Sequence, residues 1–93
     1  QTSEETLVGT ITILYMNSTK GLQEKLADLQ YQYLDEVISS LHVNLADKKT
    51  MEVMLVQGSA KKVQRIADEM VTLRGVVTGK LQLLAALMPP IPA

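Results

Sequence analysis

VMLVQGSAKKVQRIADEMVTLRGVVTGKLQLL, Val53 to Leu84, decides the fold. Val53, Met54, Leu55 and Val56 form an unbroken apolar run, the pattern of an interior strand covered on both faces. Gly58 and Ser59 end it. The Ser59 side chain is suited to accept from the first unpaired helical N–H groups, as an N-cap does. Val63, Ile66, Ala67, Met70 and Val71 then recur at helical spacing and make one buried stripe. Arg74 suits the negative end of the helix, and Gly75 suits a left-handed cap. A second strand follows and ends near Ala85. Gly79 interrupts it and marks a bulge or a close backbone approach.

The chain upstream repeats this layout. Leu7 to Met16 is rich in β-branched residues and reads as a strand. Leu7, Gly9, Ile11, Ile13 and Tyr15 share one face, suited to a helix-covered core. Val8, Thr10, Thr12, Leu14 and Met16 share the other, half polar yet sticky, which suits a second subunit better than water. Asn17, Ser18 and Thr19 are turn and cap residues. Leu22, Leu26, Leu29 and Tyr33 form an apolar helical stripe, with the helix expected to end near Tyr31. Glu36 to Leu45 alternates: Val37, Ser39, Leu41, Val43 and Leu45 point one way, and Glu36, Ile38, Ser40, His42 and Asn44 point outward. Ala46 to Lys49 is a polar hairpin turn.

The resulting order, strand-helix-strand-strand-helix-strand, is the split βαβ arrangement. It predicts an α+β, ferredoxin-like βαββαβ sandwich: an antiparallel four-stranded sheet with both helices on one face and the two most apolar strands, first and third, at its centre. The expected organisation is a frayed segment 1–6, one domain 7–86, and a Pro-rich tail 87–93 that cannot extend a sheet because proline lacks the donor.

Composition narrows the function. Ninety-three residues make one domain. Hydrophobic residues are 46% and charged residues 20%, an apolar balance that oligomerisation would hide. The net charge is −1 and the lysines occur only as the pairs Lys48-Lys49 and Lys61-Lys62 beyond isolated ones, so this domain alone is a poor nucleic-acid binder. The absence of Cys excludes disulfides, thiolate metal sites and cysteine nucleophiles. No apolar run approaches the roughly 20 residues of a membrane span. A cytoplasmic location without membrane contact is expected.

No two carboxylates are placed as an obvious acid–base pair, no nucleophile elbow is present, and the Gly75 to Gly79 segment follows a helix, whereas a phosphate loop opens one. An enzyme is not expected. His42 is the sole histidine. One imidazole without thiolates makes a weak site for a borderline metal, so His42 is a candidate metal ligand by residue type alone. Asp47 and Glu52 follow it closely, as hairpin and strand residues. The five methionines suit core or interface filling.

Leu41-His42-Val43, Met51 to Gly58, Ala67-Asp68, Arg74-Gly75-Val76 and Gly79-Lys80-Leu81 together resemble the C-terminal regulatory domain of the nickel-responsive ribbon-helix-helix transcriptional regulators, the NikR family. The resemblance runs from about Val8 to Leu84, and the arginine-glycine-valine turn is its most specific piece. It implies an ACT-like version of the same fold. It also implies a homotetramer or homodimer, and a nickel site between subunits built from three histidines and one cysteine.

Carried over by position, His42 matches the first strand histidine. Asn44 stands for the second histidine, Thr50 for the cysteine, and Tyr31 falls near the histidine that follows the first helix. Glu52 matches an acidic residue beside the site, and Thr78 replaces a further histidine. A hydroxyl, an amide and a phenol are poor ligands for a borderline divalent metal. No bound cofactor is therefore expected, although nickel is what the family implies. Tyr31, His42, Asn44, Thr50 and Glu52 could instead line a polar pocket for a small-molecule effector, or form a polar interface without a ligand. DNA contact is expected only through a ribbon-helix-helix arm that this chain lacks. The alternative function is a stand-alone oligomeric interaction or small-ligand-binding protein.

Overall fold

Ile11, Ile13 and Tyr15 alternate on one strand and Met54 and Val56 on another, and all five are buried side by side. They belong to β1 (Leu7–Met16) and β3 (Lys49–Gly58), which pair antiparallel from Leu7↔Gly58 to Met16↔Lys49. The computed structural model describes residues 5–86. Between and after these strands lie α1 (Leu22–Gln32), β2 (Val37–Asn44), α2 (Ala60–Val71) and β4 (Val76–Ala86). The sheet order is β2-β3-β1-β4, every neighbour antiparallel. The predicted ferredoxin-like arrangement and its apolar central strands are therefore what the chain adopts. Residues 1–4 of the expected frayed segment and the expected tail 87–93 lie outside the described residues. Glu5 and Thr6 are exposed and in no regular element.

Both helices cover the face that holds Ile11, Ile13 and Met54. Leu22 and Leu26 of α1, and Val63, Ile66, Ala67 and Met70 of α2, join them in one core. Each such side chain contributes about 1.5–3 kcal/mol when fully removed from water. The Ser59 hydroxyl caps α2 by accepting from the Lys62 N–H at 3.2 Å. The helix stops at Val71, earlier than Arg74. The Thr72 hydroxyl donates to the Asp68 carbonyl at 2.8 Å, the local competition that ends a helix. Gly75 does take a positive φ, 98°, but in the tight turn closed by Val76 N–H to the Leu73 carbonyl at 3.1 Å. Gly79 is a close approach: a Cβ there would lie 2.4 Å from Val71 Cγ1. The irregularity in β4 sits beside it, where the register with β1 shifts between Leu14 and Tyr15.

The strand β2 departs from the simple alternation. Its register with β3 slips between Val37 and Ser39. Such an extra residue inverts the phase of everything beyond it. Val37 is buried over Val56, but Leu41 and Leu45 are exposed rather than inward-facing. Conversely, His42 and Asn44 do not face outward. They pair with Glu52 and Thr50, whose side chains are buried on the helix-covered face.

Candidate functional site

That inversion brings polar groups beneath a helix. The ladder sets His42 opposite Glu52 and Asn44 opposite Thr50. Tyr15 on β1 closes the inner end, and Gln23, Leu26, Ala27 and Gln30 of α1 form the wall above. The cleft, open at its rim, measures about 440 Å³. Thr50 and Glu52, 2% and 1% exposed, are the buried polar side chains among the described residues.

Two hydrogen-bonded groups organise the cleft. The Asn17 amide donates to Thr50 Oγ1 at 3.0 Å, and the Thr50 hydroxyl donates onward to Asn44 Oδ1 at 2.9 Å. Beside this chain, Gln30 Nε2 donates to Glu52 Oε2 at 2.7 Å. His42 Nε2 lies 3.3 Å from the same oxygen. The other carboxylate oxygen, Glu52 Oε1, is buried and has no hydrogen-bond partner among the described residues. A buried carboxylate needs acceptor capacity filled on both oxygens. The Tyr15 phenol feels this environment. Burial pushes its pKa up, the Glu52 carboxylate pushes it further, and a hydrogen bond with Thr50 partly offsets them. Tyr15 is thus a neutral phenol at physiological pH.

Four of the five expected site residues, His42, Asn44, Thr50 and Glu52, line this one cleft. Tyr31 does not join them: it is 77% exposed near the end of α1. Gln30, Tyr15 and Asn17 complete the polar group and were not expected there. Their faint signal is on α1, where Gln23, Ala27 and Gln30 recur at i, i+4 and i+7, a stripe beside the leucines that is small or amidic rather than charged. Among the described residues, no cluster of three His, Cys, Asp or Glu side chains forms a metal-binding group. No helix of the described residues is long and apolar enough to cross a membrane.

The family model described as the NikR C terminal nickel binding domain matches residues 8–84. A protein of Pyrococcus furiosus with the curated name "Putative nickel-responsive regulator" is 44% identical over 81 residues, covering 87% of this chain and 59% of that protein. Its namesakes in Pyrococcus horikoshii and Geotalea uraniireducens are 46% and 41% identical over 81 residues, covering 87% of this chain and 59% and 58% of theirs. The chain thus spans about three fifths of the length of these relatives. Among solved structures, the ACT domain from the GTP pyrophosphokinase of Chlorobium tepidum aligns with a TM-score of 0.67 at 15% identity, covering 83% of this chain and 99% of that one. An uncharacterized protein from Thermotoga maritima aligns with a TM-score of 0.75 at 11% identity, covering 86% and 99%. These structural likenesses establish the ACT-like fold.

Proposed function

Since the chain belongs to the NikR C-terminal nickel-binding domain family, we propose that it is the effector-sensing and oligomerisation domain of a NikR-like transcriptional regulator that no longer holds nickel at the family's site. The regulator would act in the cytoplasm and reach DNA through a ribbon-helix-helix segment outside this chain. The relatives carry the names of regulators rather than enzymes, which supports a regulatory role without turnover.

The observation that carries the loss of nickel is the Asn17–Thr50–Asn44 hydrogen-bond chain. Two of the positions that the resemblance assigns to nickel are engaged with each other through neutral oxygen and nitrogen groups. The resemblance implies imidazole and thiolate donors for nickel, and an imidazole suits nickel better than a neutral hydroxyl or amide oxygen. Here one imidazole remains, His42, aimed at Glu52. The residues present do not fit the metal. The same cleft suits a small-molecule effector.

Self-association is supported by the sheet face opposite the helices. Leu41 and Leu55 are 62% and 38% exposed there. Leu14, Met16, Val43, Met51 and Val53 beside them are only partly covered. An apolar sheet face of this kind marks an interaction surface. Sedimentation of the purified chain at micromolar concentration is expected to give a dimer or tetramer; a monomer would overturn this part. For the metal, calorimetric titration with nickel chloride is expected to give no saturable heat. Tight binding that disappears in His42→Ala would show the altered site still coordinates nickel.

A further inference from the structure

We propose that the cleft beneath α1 binds a small organic primary ammonium ion, with the Glu52 carboxylate as its anchor. This deepens the preceding proposal and rests on the cleft being an effector site without nickel.

The starting point is the unpaired oxygen. Glu52 occupies an inward position of β3, in line with Thr50, Met54 and Val56, so its carboxylate is held away from water by the strand itself. An ion there is costly unless a counter-charge and hydrogen bonds compensate. Gln30 supplies one hydrogen bond to Oε2, but the amide carries no charge. His42 stands on the same side, and among the described residues Oε1 has no partner and no lysine or arginine lines the cleft. Glu36, by contrast, has Lys62 at 3.6 Å. Glu52 is thus a buried carboxylate with no lysine or arginine paired to it among the described residues, and the complement it asks for is a cation that donates N–H bonds.

The rest of the lining selects the kind of cation. A primary ammonium has three donors and no acceptor. Beside Glu52, Asn44 Oδ1 accepts one bond from Thr50 and has capacity for another. The neutral Tyr15 phenol offers a further acceptor. Leu26 and Ala27 of α1 provide an apolar wall for a short aliphatic body, and about 440 Å³ lies at the small end of ligand cavities. A hard divalent metal would need six or more oxygens, and only one carboxylate is present. The way in is by the rim. His42 is exposed by 55% while Glu52 is closed off, so the imidazole is the wall that can turn aside. A terminal carboxylate torsion is broad and nearly two-fold, so Oε1 can rotate to meet the incoming donor.

The test titrates the intact chain, uniformly ¹⁵N-labelled, with propylammonium chloride. Tetramethylammonium chloride, which has the charge without the N–H donors, and nickel chloride are run in parallel. The expected result is saturable amide shifts with propylammonium confined to α1, the β2–β3 hairpin and the end of β1, and none with tetramethylammonium. Glu52→Gln should weaken the affinity about tenfold or more, the loss of a charge-assisted hydrogen bond. Ala27→Leu, on the helix surface, fills the apolar wall without touching Glu52 and should also weaken it; this arm decides the matter if Glu52→Gln fails to fold. No saturable shift with propylammonium, or equal response to tetramethylammonium, overturns the ammonium site. Nickel binding lost in His42→Ala overturns the nickel-free reading beneath it. Silence of both ligands removes only the ammonium inference.

Discussion

The half of the domain built on α2 and the half built on α1 are laid out alike and filled differently. The helix α2 begins at a serine cap and buries Val63, Ile66, Ala67 and Met70. Val71 at its end sits against Gly79 of β4, so closely that glycine alone fits. The helix α1 begins after Gly21 with no side-chain cap and fully buries only Leu22 and Leu26. Beneath it lie Thr50, Glu52, His42 and Asn44 instead of a continuous apolar layer. The first arrangement maximises burial. The second keeps a polar cleft at some cost in stability, the kind of local departure from consistent packing that functional sites show.

The contrast can be broken by truncating each helix. Ile66→Ala is expected to destabilise the domain by about 2–5 kcal/mol, because its neighbours are fully packed and cannot close the cavity. Leu26→Ala should fall at the low end of that range, since it borders a cleft that water can enter. Urea unfolding of both variants decides this. Equal losses would mean that the two halves are packed equally well. The next effect in size concerns the helix–sheet contact that only the α2 half makes. Gly79→Ala places a methyl against Val71 Cγ1 and, at 2.9 Å, Ile13 Cγ2. Both are β-branched and stiff at χ1. Overpacking of this kind costs about 1–3 kcal/mol, and a shift of the urea midpoint would report it. A neutral Gly79→Ala would show that α2 can lift from β4. Smaller again is Ser59→Ala, which removes the cap on α2 and should cost about 1 kcal/mol. The α1 half has no equivalent side-chain cap to lose.

The same asymmetry governs what the amino-acid sequence reveals. The α2 half is legible because its signals are local: an apolar run for β3, Ser59 before the helix, and a stripe at helical spacing. Each was found where expected, apart from the last residues of the helix and the outer face of β3, where Leu55 is exposed rather than covered. The inner strands β1 and β3 followed from composition. The alternation of β2 gives the wrong phase beyond Ile38, because the register slip is a property of the pairing with β3 and leaves no mark on the sequence of β2 itself. His42 and Asn44 therefore sit under α1 and not on the outside. The grouping of His42, Asn44, Thr50 and Glu52 was implied by resemblance, and the ladder supplies its physical basis. Gln30, Tyr15 and Asn17 come from three other places in the chain. Only the packing of α1 over the sheet joins them to the cleft, and no local pattern encodes that. Tyr31, exposed near the end of α1, does not line the cleft within one copy of the chain.

The finest probe of the polar half is the Tyr15 phenol. Its pKa is raised above 10.0 by burial first and by the Glu52 carboxylate second. The native state thus keeps a proton that the unfolded chain gives up at ordinary tyrosine pH. By linkage, this contribution to stability is complete below the unfolded pKa and is lost as pH rises through the higher folded value. The domain should therefore weaken in alkali, starting near pH 10. Tyr33 adds to this limb, since its hydrogen bond to Glu69 and its burial also push its pKa up. Tyr33→Phe removes that share, and Tyr31→Phe in the same chain leaves Tyr15 as the one phenol to be followed by phenolate absorbance. In this background, Glu52→Gln should lower the Tyr15 pKa without returning it to the ordinary value, because burial, the larger cause, remains. The alkaline loss would begin at the same pH and be smaller in total. An unmoved Tyr15 titration in Glu52→Gln would mean that the carboxylate does not act on the phenol. The polar half would then be two independent groups, the Asn17–Thr50–Asn44 hydrogen-bond chain and the Gln30–Glu52 pair with His42 beside it, rather than one electrostatic unit.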